Sequence, residues 1–439
     1  MPFFPTYIKL EGGYPLKVVY PICCGVDVHK AFFVATIITT TDGIMPHYQK
    51  KRFSTFNKQI LAFKKWLLEN NCRDVCMEST GKYYIPVLNL LEDSINVTVA
   101  NPKWVRAVKG YKDDEKDSKW IGNLFRIGLV PGSFMPSKPF RILREYTRYL
   151  FKMVNAKSSE KNRYQNVFTV CNVALDAVVS DMFGVSASNI TDYITNSDTF
   201  DPDYCVSLLR GTLKNKAESV VESIEGFQMT EAQKARARLI RDHYDFLVNH
   251  ISILESSIEA LAAPYKAAIQ LLCTIPGIKE RSAISILAEI GDDMSQFGSA
   301  KRLCSWGGLT PSNNQSAGKK KSVRITRAGV YLKPALVEVA HAAVKDLKNP
   351  YYGIKYERIK RRRGKKRGII AIAIARMILT AIYHMLSTGE VWNPCDLPQI
   401  DMTPEFQEKQ LKRDIRRAAK LLVANGIINL SDIKFSDTA

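Results

Sequence analysis

The chain has 439 residues, 46% of them hydrophobic, and a formal net charge of +20 at pH 7. It is long enough for two or three domains with cores of their own, and too apolar to be an intrinsically disordered polymer. The surplus of Lys and Arg points to a polyanionic partner, because cations set against phosphates release condensed counterions; charge alone leaves nucleic acid and an anionic membrane both open.

The opening run MPFFPTYIKLEGGYPLK has no apolar core ending in a small-residue cleavage site, so no secretory leader is expected. Next, CCGVDVHK and AFFVATIIT read as a β-hairpin and YQKKRFSTF as a third strand. FNKQILAFKKWLLENN carries apolar residues at helical spacing, DVCMEST is a short strand, YYIPVLNLLED a helix and NVTVANP a further strand. DDEKDSKWIGNLFRIGLV then forms a helix whose acidic start suits the positive end of its dipole. This order of strands and helices predicts a mixed α/β sheet domain.

Beyond Arg141 the pattern turns to long charged helices. Cys171 to Ser223, with its Asn, Ser, Thr, Asp and Gly clusters, reads as an irregular insertion. MTEAQKARARLIRDHYDFLVNHISILESSIEALAAPYKAAIQLL predicts one or two amphipathic helices, a coiled-coil-like arm suited to packing on a partner chain. TIPGIKERSAISILAEIGD has the shape of a helix-hairpin-helix, in which Gly277 and Lys279 would lie beside backbone N–H groups at a helix start, a phosphate site without sequence preference. An ordinary helical turn is the plain alternative. Ile369 to Leu386 is apolar but interrupted by Arg376 and His384, so it reads as a buried amphipathic helix and not a membrane span. The tail after Val391 is polar and charged. Nine scattered cysteines without paired C-x-x-C spacing suit a reducing cytoplasm, with Cys72 and Cys76 as strand-edge packing residues.

Two groups could carry chemistry. Asp27 sits mid-strand among apolar residues, where an unpaired carboxylate is costly; Glu78 ends a later strand; Asp114 and Asp117 lie three apart at a helix start. Four such carboxylates can converge at one end of a sheet, and hard oxygen donors that repel one another select Mg²⁺ or Mn²⁺, which suits phosphoryl transfer. Each acid alone has an ordinary reading as a turn, strand-end or helix-start residue. The second group is SNNQSAGKKKSVRITRAG, where Ser316 precedes Lys319, Lys320, Lys321, Arg324 and Arg327. Cationic neighbours could hold a scissile phosphate around an attacking hydroxyl, although Ser312, Ser322 and Thr326 compete on spacing alone. The charge run IKRRRGKKRG, with Arg361, Arg362, Arg363, Lys365 and Lys366, could track a nucleic-acid backbone; nearby Tyr351, Tyr352 and Tyr356 could stack on bases or pack the helix.

The motifs GVDVHK, MESTG and NPKWVRAVKGYKDDEKDS, followed by PGIK, FGSAKRLCSWGGLTP, QSAGK and RITRAG, resemble the insertion-sequence one-ten family of transposases, over roughly 22–133 and 271–386. The resemblance implies a resolvase-like domain of the ribonuclease H fold at 20–135. With the helical and charge patterns above, it divides the rest of the chain into a helical, coiled-coil-like middle at 140–268, a mostly α-helical transposase domain with the helix-hairpin-helix at 269–390 and a charged extension at 391–439. Asp27, Glu78, Asp114 and Asp117 match the family's four acidic positions, with Asp113 competing for the third. Ser316 matches the serine that forms a covalent phosphoserine with DNA. The family's properties further imply Mg²⁺ (or Mn²⁺) and donor and target double-stranded DNA. They imply a structured bridge RNA that pairs with both DNAs, a dimer or tetramer whose acids and serine form composite sites, and passage through a Holliday junction. Alternatives are a junction resolvase using carboxylates and water, a site-specific invertase, and a non-catalytic nucleic-acid scaffold.

Overall fold

Ile22–Val28 is apolar at nearly every position, and such a strand is stable only when both faces are covered. In the computed structural model it lies at the centre of a sheet. The structure describes residues 7–8, 16–40, 45–105, 114–197, 199–311, 314–316, 319–322, 324–363, 367–394, 396, 408, 411–412 and 415. Two units are distinguished, residues 1–138 and 139–439.

In the first unit, a short antiparallel pair, β1 (Tyr7–Ile8) and β2 (Leu16–Lys17), precedes the main sheet. That sheet contains β3 (Ile22–Val28), β4 (Phe32–Thr39), β5 (His47–Ser54), β6 (Asp74–Glu78) and β7 (Asn96–Ala100), in the order β5-β4-β3-β6-β7. β3, β4 and β5 pair antiparallel, whereas β6 and β7 run parallel to β3. The edge strand β5 places Lys50, Lys51 and Arg52 outward, charges that discourage pairing with a foreign strand. One face of the sheet is covered by α1 (Asn57–Glu69) and α2 (Tyr84–Leu91), through a core that includes Val26, Phe33, Phe63, Trp66 and Leu88.

The other face carries α4 (Asp114–Arg126), which follows the short α3 (Pro102–Val105). A small core of Cys23, Ile38, Cys76, Val105, Ile121 and Phe125 joins it to the strands. Here two glycines meet. A Cβ added to Gly25 would lie 2.2 Å from the Ser118 carbonyl oxygen and 2.3 Å from the Gly122 nitrogen, and one on Gly122 would lie 3.1 Å from the Gly25 nitrogen. Helix backbone therefore rests directly on strand backbone, and a buried 2.8 Å hydrogen bond between the Thr36 and Ser118 hydroxyls fixes the register. Gly25→Ala should force α4 off the sheet at a cost of about 3 kcal/mol or more. A thermal melt followed by circular dichroism should show a clearly lowered midpoint, and an unchanged midpoint would refute this account of the contact.

In the second unit, two helices of 32 residues each, α5 (Lys138–Thr169) and α10 (Glu231–Ala262), flank the segment expected to be irregular. That expectation is corrected. The segment folds as α6 (Leu175–Val178), α7 (Val185–Asn196), α8 (Pro202–Ser207) and α9 (Ala217–Glu222). Leu175, Ile190, Ile194, Cys205, Leu209 and Val220 are buried in one core with Tyr164 and Phe168 of α5 and Ala237 and Ile240 of α10. Three of the polar residues that suggested irregularity, Ser186, Thr191 and Thr195 of α7, are buried, and the Thr191 and Thr195 hydroxyls are satisfied by the Ala187 and Thr191 carbonyls one turn earlier.

The remaining helices are α11 (Lys266–Cys273), α12 (Glu280–Ile290), α13 (Ala300–Trp306), α14 (Leu332–Lys345), α15 (Tyr351–Arg363) and α16 (Arg367–Thr388). Between α13 and α14 stands a small hairpin, β8 (Asn314–Ser316) with β9 (Lys319–Ser322). Among the described residues α16 is the helix long and apolar enough to cross a membrane. Ile370, Ile374, Ile378, Leu379 and Ile382 bury one of its faces. Arg144 and Arg148 of α5 lock onto the end of α12: Arg148 grips the buried Glu289 carboxylate with bonds of 2.6 and 2.8 Å, while Arg144 donates to the Ala288 carbonyl at 3.0 Å.

Candidate active site

In β3, Cys24, Val26 and Val28 belong to the core under α1 and α2, so the alternation of a strand turns Cys23, Gly25 and Asp27 toward α4. Asp27 is only 7% exposed. The last paired residues of β3 and β6 are Val26 and Met77, so Asp27 and Glu78 stand side by side one step further, at the carboxyl ends of adjacent parallel strands. Glu78 shares the face of Cys76, the α4 face, and is half-buried. The Thr80 hydroxyl donates to Glu78 Oε1 at 3.3 Å.

The course of α4 brings its acidic start to the same place. Cys23 Sγ lies 3.7 Å from the Gly122 carbonyl, and Ser118 stands over Gly25 and Thr36, so the helix runs antiparallel to β3. One turn before Ser118 is Asp114, at the end of the strand where Asp27 lies. Asp117 is half-buried; for Asp114 the backbone alone is described, and the competing Asp113 lies outside the described residues. Among the described residues, no three acidic, His or Cys side chains are drawn together as a metal would hold them. The donor chemistry nevertheless fits a hard divalent cation: oxygen ligands, two of them carboxylates on neighbouring strands that repel when unneutralised.

The sequence reading missed His29. Its Nε2 lies 2.9 Å from Asp27 Oδ2, and its ring packs 4.7 Å from that of Phe32, centroid to centroid. The signal was the spacing D-x-H in a strand, which puts both side chains on one face. Cys72, just before β6, and Cys76, within that interior strand, are buried free thiols whose pKa values desolvation pushes up to about 12; both are neutral packing groups as expected, and Cys76 sits inside the sheet rather than at its edge.

Ser316 ends β8 and pairs with Lys319 of β9; the basic loop expected there is partly strand. The backbone alone is described for Ser316, Lys319, Lys320 and the competing Ser322, and Ser312 lies outside the described residues. The Thr326 hydroxyl is shielded from solvent, which removes it as an accessible nucleophile. Thr326 instead anchors the stretch through its carbonyl, which accepts from Lys333 Nζ at 2.7 Å. Burial lowers the pKa of that lysine.

Arg324 and Arg327 are exposed. Arg324 and Arg362 border one groove of about 1730 Å³, floored by Ile369, Ile372 and Met377 of α16. Arg361 is exposed at the end of α15; for Arg363 only the backbone is described, and Lys365 and Lys366 lie outside the described residues. Tyr352 is buried against Trp392, and the Tyr351 hydroxyl donates to Asp396 Oδ1 at 2.7 Å, so these two rings pack the helix rather than face bases. Gly277 turns the chain between α11 and α12 with φ +86°, and a Cβ there would lie 2.5 Å from the Ala343 nitrogen. Its glycine is required by the close approach of α14. Lys279, just before α12, is exposed, on a groove of about 940 Å³ that Arg281 also borders.

Two family models match the chain. Residues 24–172 match a DEDD-type transposase of the IS110 group, and residues 269–355 match the transposase IS116/IS110/IS902 family. Pilin gene-inverting proteins of Moraxella bovis and Moraxella lacunata are each 32% identical over 124 residues, 26% of this chain and 36% of theirs. The chain thus spans little more than a third of the curated relatives it matches. The first match spans the strand-end acids and α4, and the second the Gly277 turn between α11 and α12, the Ser316 strand and α14. With both models met in order along one polypeptide, the chain belongs to the IS116/IS110/IS902 transposase family.

Proposed function

We propose that the chain cuts and rejoins DNA as a transposase or recombinase, with the strand-end acids and Ser316 as its two chemical groups. The observation that carries this reading is the Asp27 carboxylate, nearly buried at the end of β3 beside Glu78, with the acidic first turn of α4 at the same end. The sheet order β5-β4-β3-β6-β7, three antiparallel strands followed by two parallel ones, supports a ribonuclease H-like first domain.

Asp27, Glu78, Asp114 and Asp117 would hold Mg²⁺ or Mn²⁺. When bound, the metal would supply charge neutralisation at the attacking and leaving oxygens of phosphoryl transfer. His29 orients the Asp27 carboxylate. The Ser316 hydroxyl attacks the scissile phosphorus, the ester bond to the departing deoxyribose oxygen breaks, and the released sugar oxygen takes up a proton. Lys319, Lys320, Arg324 and Arg327 hold the phosphate and its developing charge. Reversal with a new DNA hydroxyl restores the serine and joins the strands through a Holliday junction. Lys279, Arg361, Arg362, Arg363, Lys365 and Lys366 track nucleic-acid backbones. A bridge RNA supplies sequence choice by pairing with donor and target, and the acids and serine act together in a dimer or tetramer.

A nicked suicide duplex mixed with the full chain and Mg²⁺ should leave a denaturant-resistant adduct of protein and DNA. Sequencing of copurifying RNA should return a discrete species with loops complementary to the DNA ends. DNA cut without any adduct would favour the second reading, a carboxylate-and-water resolvase, for which the strand-end acids alone suffice. Failure to cut at all, with RNA and DNA ends supplied, would leave only a binding scaffold.

A further inference from the structure

The segments that leave the carboxyl ends of β6 and β7, the second of them the single turn of α3, each expose a lysine followed by an aromatic ring. After Glu78 come Lys82 and Tyr83, the tyrosine 42% exposed; after Ala100 come Lys103 and Trp104, the indole 55% exposed. The segments are neighbours, tied by a 2.9 Å bond from the Ser79 N–H to the Ala100 carbonyl. Asn101 holds the second segment in shape: its side chain accepts from the Lys103 N–H at 2.9 Å, and its carbonyl accepts from the Trp104 N–H at 2.9 Å. Lys103 Nζ sits 5.7 Å from the centre of the Trp104 ring. The indole is thus presented to solvent on a braced turn, at the sheet end where Asp27 and Glu78 stand.

A flat exposed ring beside an ammonium matches one chemistry well, a stacked base with its phosphate. Bases within a duplex hide their faces, so such a pair selects unpaired nucleotides. We propose that Lys82–Tyr83 and Lys103–Trp104 form a platform for unpaired nucleotides flanking the scissile phosphate, a positioning role that rests on the strand-end acids being the reaction centre. Stacking on Trp104 would hold a strand in the opened state that its cutting and exchange require, while the lysines bind its phosphates.

The test measures binding alone, with EDTA present so that no metal and no cleavage enter. Fluorescence anisotropy of a labelled single-stranded 15-mer would be compared between the full chain and Trp104→Ala, using DNA, RNA and an abasic strand of equal length. Trp104→Ala should bind the base-bearing strand about tenfold more weakly, bind the abasic strand as the unaltered chain does, and regain affinity as Trp104→Phe. Loss on the DNA strand supports the proposal; loss on RNA only overturns it, because the scissile phosphate belongs to DNA. Equal affinities for the base-bearing strand, or equal losses on base-bearing and abasic strands, overturn the proposal. Cutting by the Asp27→Asn variant is measured separately with Mg²⁺ present, so a wrong assignment of the acids shows there and leaves this binding result standing.

Discussion

Asp27→Asn should reduce DNA cutting by about three orders of magnitude, on the order of 4 kcal/mol of transition-state stabilisation. Asn has nearly the same shape as Asp, and its amide retains a polar atom for the His29 ring, now 2.9 Å from Asp27 Oδ2, so the strand should keep its place. What goes is one negative charge at a 7% exposed position between β4 and β6. If that charge holds a divalent ion, the variant should also need far more Mg²⁺ to reach half of its residual rate. Rates are to be taken from single-turnover cleavage across a Mg²⁺ series, with circular dichroism verifying the fold. Wild-type rate and metal dependence in this variant, or in Glu78→Gln, would end the metal-site assignment.

Ser316→Ala should abolish the covalent adduct and lower strand exchange by about 10⁴-fold or more, as loss of a nucleophile does in enzymes that depend on one. The substitution removes one hydroxyl from the end of β8 and leaves the charges of the hairpin in place. DNA binding should therefore stay unchanged, and a gel-shift titration distinguishes this from loss of the DNA itself. The same reaction separates the competing chemistries. Cutting that continues undiminished in the variant means that water, directed by the acids, is the attacking group.

The strands of the first unit were legible because their composition is local and unambiguous. Ile22–Val28 and Phe32–Thr39 are apolar runs that only a covered sheet tolerates, and α4 announces itself by its acidic start. That Asp27 and Glu78 stand on adjacent parallel strands was not legible, because strand order is set by pairings distant in sequence. Cys171 to Ser223 was illegible for the opposite reason. Its helices α6, α8 and α9 are four to six residues long, too short for a periodic signal, and they gain a core only from Tyr164, Phe168, Ala237 and Ile240, distant in sequence. Tyr352 could not be told from a stacking residue because its partner, Trp392, lies forty residues on. The β8–β9 hairpin escaped notice because Lys319–Ser322 is almost all lysine, with no apolar alternation to mark a strand. Among the candidate nucleophiles, spacing left the choice open; burial of the Thr326 hydroxyl removes one of them.

The meeting of Gly25 with Gly122 reaches beyond packing. Because main chain rests on main chain there, the span from the strand-borne acids to the first turn of α4 is set by two backbones, with Ile38 and the Thr36–Ser118 pair closing the contact around them. Substitutions on the opposite face of the sheet, under α1 and α2, can alter stability without recalibrating that span. A protein engineer seeking new targets could hold β3 and α4 fixed as a gauge and confine variation to the helical unit and the exposed loops. Conversely, a bulkier residue at either glycine should silence the enzyme even with every acid in place.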